Sequence, residues 1–151
     1  MRILVDADAF PNALKEVLLR SVKKHQIPTT FIANKPIGVP NISFIQMHIV
    51  PQGVDEADHF IALECQEGDL VITADIPLAD RVIAKEALAL DPRGTIYDKE
   101  NIKSILAMRN LMQELRDSGQ ITGGPSGINA KTIRNFADSL QKLLNKLHNK
   151  S

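Results

Sequence analysis

Two rhythms of apolar residues alternate along this chain. Short continuous apolar runs read as strands: Arg2 to Asp6, Thr29 to Ala33, Ser43 to Val50, the buried Asp69 to Thr73 and the brief Thr95 to Tyr97. Between them, apolar residues return at helical spacing. Leu14, Val17, Leu18 and Val22 predict a helix from Pro11 to about His25, with the proline in the first turn, where its missing N–H costs nothing. Lys15, Arg20, Lys23 and Lys24 fall mostly elsewhere on that wheel. A short helix is expected over Asp55 to Cys65, between Gly53 and Gly68, and another from Pro77 to about Leu90. Asp91-Pro92-Arg93-Gly94 reads as a turn. Ile102, Ile105, Leu106, Met108 and Met112 mark a helix that stops near Gly119. Ile133, Phe136, Ala137, Leu140, Leu143, Leu144 and Leu147 mark a last one.

Strands that alternate with helices predict an α/β fold: a mostly parallel sheet flanked by helices, with further helices at the C-terminal end. Residues 1–121 read as the α/β domain, and 122–151 as a glycine-rich loop and C-terminal helix of the same domain. The loop, Thr122-Gly123-Gly124-Pro125-Ser126-Gly127, is either a hinge to a helical arm or a cover over the site. The last helix is amphipathic. Such a face more often packs on its own domain than on a partner.

Composition narrows this picture. With 151 residues the chain has the size of one domain and can bury a core without staples. Its apolar runs are of strand length, far from the ~20 residues that cross a bilayer. Met1-Arg2 leads directly into Ile3-Leu4-Val5, without the apolar stretch and cleavage site of a secretory signal. Cys65 is the only cysteine, so neither an internal disulfide nor a structural zinc site is available. These features predict a cytoplasmic protein without membrane contact. Eighteen basic and eighteen acidic side chains cancel, which argues against purely electrostatic nucleic-acid binding but leaves room for a local basic groove facing an acidic pocket.

Candidate chemistry lies in the aspartates. Open α/β sheets bind ligands beyond the carboxyl ends of their strands, which singles out Asp6 and Asp8 after the first strand and Asp75 after Leu70–Thr73. Asp80 stands one turn into the next helix, and Asp55 and Asp58 open the helix before that strand. Each acid has a structural explanation. Asp8 and Asp75 suit helix caps, Asp55 suits a first turn, and Asp80 and Asp91 suit a solvated surface. Asp6 ends a buried strand where no helix needs a cap, and Asp58 borders the inward face through Ile61 and Ala62. Several carboxylates brought together out of water call for a cation, and Mg²⁺ or Mn²⁺ with retained waters suits hard oxygen ligands. Thr73 is placed to hydrogen-bond such a site, and His59 neighbours Asp58. The other histidines, His25, His48 and His148, are scattered.

Val5-Asp6-Ala7-Asp8-Ala9, Gly53-Val54-Asp55-Glu56-Ala57-Asp58, the run Asp69 to Ala79 and Thr122-Gly123-Gly124-Pro125 together resemble the bacterial YaiI/YqxD family, as do Asp91-Pro92-Arg93-Gly94 and Ala107-Met108-Arg109. The resemblance implies a PIN-like three-layer domain. Active members of that fold are metal-dependent nucleases with clustered aspartates, and the NYN branch is the nearest analogue. It implies Asp6, Asp55, Asp58 and Asp75 as metal ligands, with Asp8 as a helper; Asp6 and Asp75 are the expected catalytic pair, and Asp80 and Thr73 are further helpers by position. This chain departs from the family pattern at Phe10, where a cysteine is usual, and at Ser126-Gly127, where a proline and a phenylalanine are usual.

Three functions compete. The first is a Mg²⁺- or Mn²⁺-dependent nuclease acting on nucleic acid, RNA in preference to DNA. Arg81, Arg93 and Arg109 are its phosphate contacts, with Lys35, Lys131 and Arg134 as further candidates. The second is a phosphatase of the haloacid-dehalogenase type, in which Asp6/Asp8 and Asp75/Asp80 act. That scheme leaves Asp55 and Asp58 idle and finds Ala33-Asn34 where a serine or threonine is needed. The third is a non-catalytic nucleic-acid- or protein-binding module.

Overall fold

The structure, a computed structural model, describes residues 1–53, 55–121 and 127–148. Residues 122–126 of the glycine-rich loop and the side chain of Leu147 lie outside the described residues. Six strands form one sheet: β1 (Ile3–Asp6), β2 (Thr29–Ala33), β3 (Ile45–Ile49), β4 (Leu70–Ile72), β5 (Leu88–Leu90) and β6 (Ile96–Tyr97). Their spatial order is β3-β2-β1-β4-β5-β6; every pairing is parallel except β5 with β6. Among the described residues, five α-helices cover the two faces: α1 (Asn12–His25), α2 (Glu56–Glu64), α3 (Ile76–Ala84), α4 (Ile102–Asp117) and α5 (Ala130–His148).

The pleat of the strands divides the core. Ile3, Val5, Leu70 and Ile72 point to one face and pack with Leu14, Leu18 and Val22 of α1 and Phe136, Leu140, Leu143 and Leu144 of α5. Leu4, Ile32 and Val71 point to the other, against Ile61 of α2, Leu78 and Val82 of α3 and Ile102 of α4. The result is a three-layer, PIN-like α/β arrangement. α5 is tied down by its leucines and by Phe136, whose ring meets Phe10 edge-on with centroids 5.8 Å apart. Among the described residues no helix is long and apolar enough to cross a membrane.

Three expectations are corrected. The helix expected from Pro77 to Leu90 ends at Ala84, and Leu88–Leu90 forms β5 beside β4. Good helix formers fill this stretch, yet Glu86 turns to a left-handed φ of 67° and strand pairing buries Ala89 and Leu90 completely. Asp91 is not solvated. It is buried, accepts from the Arg93 N–H at 2.6 Å and the Tyr97 hydroxyl at 3.2 Å, and organises the β5–β6 turn. In α4, Ile102 is the residue fully buried, while Met108, Leu111 and Met112 are exposed. Lys103 pairs with Asp80, and Arg109 shares a cleft with Pro77 and Leu78, so α4 runs antiparallel to α3 and its last turns pass the start of that helix.

Candidate functional site

β1 leads outward to β2 on one side, and β4 lies on the other, so the chain reverses direction between β1 and β4. This is the crevice in which open α/β sheets take ligands. Asp6 ends β1 on the α2/α3 side of the pleat. Val5 pairs with Ile72, so the next residues, Asp6 and Thr73, stand side by side. The Thr73 hydroxyl donates to Asp6 Oδ2 at 2.9 Å and accepts from the Asp75 N–H at 3.0 Å. Burial pushes the Asp6 carboxyl above its ordinary range; the Thr73 hydrogen bond opposes this and the charges of Asp75 and Asp8 add to it.

Asp75 caps α3, accepting from the Leu78 N–H at 2.9 Å, with Pro77 in the first turn. Asp58, on the first turn of α2, faces the same cleft and lies beside Asp75. Asp58 is accordingly pushed up to about 7, by burial first, then by Asp75 and the charges of Asp6 and Asp55. Asp55 occupies the N-cap position of α2 with a left-handed φ of 64° and no side-chain cap bond. Such a backbone is costly for a residue with a side chain and concentrates at functional sites.

Asp55 and Asp58 separate two clefts. One, of about 280 Å³, is lined by Asp55, Asp58, His59, Asp75, Arg81 and Arg109. The other, of about 180 Å³, is lined by Asp6, Asp8, Asn34, Glu56 and again Asp55 and Asp58. The fold thus brings together Asp6, Asp8, Asp55, Asp58, Asp75 and Thr73, with Arg81 and Arg109 on the wall. Asn34 and Glu56 line the cleft without having stood out in the sequence; Glu56 resembles any acid in a helix first turn. Asp8 does not cap α1, whose N-cap position is Pro11. Both its oxygens accept from the Asn34 N–H, at 3.1 and 3.0 Å, and fasten β1 to the end of β2.

Other predicted residues stand apart. Asp80 pairs with Lys103 at 2.8 Å and lines a different cleft with Lys99 and Ile102. That removes one of the acids on which the phosphatase scheme relies. Arg93 belongs to the β5–β6 turn, and neither it nor Lys35, Lys131 or Arg134 lines either acidic cleft.

Among the described residues, no three Asp, Glu, His or Cys side chains converge as they stand on one ion position. Thr73, Asn34 and Leu78 each engage a carboxylate, and Asp58 and Asp75 lie beside each other. The donor set is a pair of carboxylates beside a further acid, not a protein cage. Mg²⁺ is commonly held in that way, by one or two carboxylates with waters and substrate phosphate completing the shell.

Fold and edge together define a PIN-like α/β protein with an acidic cleft at its switch point. The chain belongs to the YaiI/YqxD family: the family model, described as "Uncharacterized BCR, YaiI/YqxD family", matches residues 4–146. It is 53% identical over 146 residues to a UPF0178 protein of Sulfurovum sp. strain NBC37-1, covering 97% of this chain and 99% of that one. A UPF0178 protein of Sulfurimonas denitrificans is 51% identical, with 97% of each chain covered. One from Klebsiella pneumoniae strain 342 is 49% identical over 95% of each. No solved structure matches the chain significantly.

Proposed function

We propose that the acidic cleft takes a divalent cation, Mg²⁺ or Mn²⁺, and hydrolyses phosphodiester bonds in nucleic acid, with RNA as the first substrate. The observation that carries this reading is the Asp58–Asp75 contact. Two carboxyl groups from different elements, with Asp6 close by, crowd one cleft where a cation would offset their mutual repulsion. Asp58 and Asp75 would hold the ion, with Asp6 and Asp55 around it. Bound there, the ion supplies polarisation of a phosphoryl oxygen and a lowered pKa for a bound water. Asp6, held by the Thr73 hydroxyl, would accept the proton of an attacking water. Arg81 and Arg109, on the wall of the same cleft, meet the phosphate.

The test is cleavage of labelled single-stranded RNA with Mn²⁺ by wild type and by Asp58→Asn and Asp75→Asn, each verified as folded. Both variants should lose about two orders of magnitude or more in rate. Wild type inert on RNA, DNA and simple phosphodiesters, or variants as active as wild type, would contradict the reading.

A further inference from the structure

The charges of this neutral chain are sorted by layer. The 34–44 connection packs Ile37, Val39, Ile42 and Phe44 on the same core as α1 and α5. These three segments carry nine of the eighteen basic side chains and only two of the eighteen acids, Glu16 and Asp138. Ion pairs among the described residues use Arg2, Lys99 and Lys103, and none of the nine joins one. Arg20, Lys23 and Lys24 of α1 and Lys131, Arg134 and Lys142 of α5 are exposed. The other acids lie in the opposite layer and at both edges of the sheet, and Lys146 at the end of α5 lines a cleft with Glu86, Asp98 and Glu100.

Solvated lysines are common, and Lys23 and Lys24 suit the negative end of the α1 dipole. Helix stability does not explain Lys131, which stands in the first turn of α5, where a cation opposes the dipole and no acid offsets it. Evolution of a neutral chain for solubility alone gives interspersed signs, not one cationic layer.

We propose that the α1–α5 layer is a docking surface for the phosphate backbone of a nucleic acid. Lys131 and Lys142 are about 16 Å apart along α5, over which one strand of a duplex carries about five phosphates. On α1, Arg20, Lys23 and Lys24 surround an open cleft with Leu19 and Glu16. An anionic membrane is disfavoured because such a surface combines cations with exposed apolar anchors. Among the described residues, the large exposed apolar side chains are Met1, Ile49, Leu63, Met108, Leu111 and Met112, none of them in α1 or α5. Docking here stands independently of cleavage at the acidic cleft, on the other side of the sheet.

Fluorescence anisotropy of a labelled RNA duplex tests it, with wild type, the quadruple variant Lys23→Gln/Lys24→Gln/Lys131→Gln/Lys142→Gln, and a Lys99→Gln/Lys103→Gln control. Wild type should lose roughly a hundredfold in affinity between about 50 and 200 mM salt, as expected for about four phosphate contacts. The quadruple variant should bind at least about tenfold more weakly at low salt, with a slope shallower by about 0.9 per contact removed. The control should match wild type. Thermal melts check folding; should the quadruple variant be unfolded, Lys131→Gln/Lys142→Gln replaces it. Salt-insensitive binding, no binding, an unaffected Lys→Gln variant on the α1–α5 layer, a control that loses as much, or capture of phosphatidylserine vesicles in place of RNA overturns the proposal.

Discussion

The Asp58 carboxyl is pushed from the ordinary 3.8 up to about 7 by burial and by neighbouring carboxylates. A carboxyl group raised on folding binds more protons folded than unfolded between those two values. Its contribution to stability is complete below about 4 and is lost as pH rises through about 7. Thermal melts should therefore show wild type losing stability from about pH 4 to pH 7, and Asp58→Asn should flatten that slope. Mg²⁺ should restore stability mainly at the alkaline end. An identical slope in the variant would remove Asp58 as the cause. Thr73 makes a second residue-scale prediction. It is buried, donates to Asp6 and accepts from the Asp75 N–H. Thr73→Val conserves volume but strands both partners, so urea melts should report a loss of about 1–3 kcal/mol. Thr73→Ser keeps the hydroxyl and should lose clearly less.

At the scale of elements, the turn before β6 is the joint that holds α5. Gly94 has φ 98°, and a Cβ there would lie 2.7 Å from the Asn135 carbonyl carbon; its own carbonyl accepts from the Ser139 hydroxyl at 2.5 Å. Gly94→Ala should cost about 2 kcal/mol or more in urea melts, through strain and the displaced helix backbone. A loss below about 0.5 kcal/mol would show that α5 gives way freely. This joint also accounts for Asp91-Pro92-Arg93-Gly94, which in the sequence suggested a phosphate contact at Arg93. Elements whose identity rests on local pattern were legible: β1, β2, β4, α1 and α5 follow from apolar spacing, and Asp6 and Asp75 follow from strand ends. β5 was not, because Ala84 to Leu90 is locally helical and only its pairing with β4 makes it a strand. The exposed end of α4 was also hidden, since periodicity shows an apolar face without showing whether a neighbour reaches it. Asp8 illustrates the same limit: its partner, the Asn34 N–H, is distant in sequence.

For the whole molecule, zero net charge conceals an arrangement. Half of the basic side chains stand on the α1–α5 layer and the connection beside it, while one cluster of acids stands at the switch point between β1 and β4 and around α2. Such segregation orients an anionic partner before contact. It also leaves Arg81 and Arg109 as the cations nearest the acidic cleft, so phosphate enters that cleft only with added positive charge. Arg109→Ala should therefore raise KM for RNA more than it lowers kcat, as steady-state cleavage would show; a kcat loss at unchanged KM would assign the residue to the chemical step. Binding of a divalent cation between Asp58 and Asp75 is tested most directly by calorimetric titration of Mn²⁺. Wild type, Asp58→Asn and Asp75→Asn are compared at about pH 7.5, above the value given for Asp58. Saturable binding by wild type, with proton release that falls as pH is raised and with both folded variants silent, is the predicted result. Wild type that takes up no Mn²⁺ at millimolar concentration, alone or with a non-cleavable phosphodiester present, would contradict it.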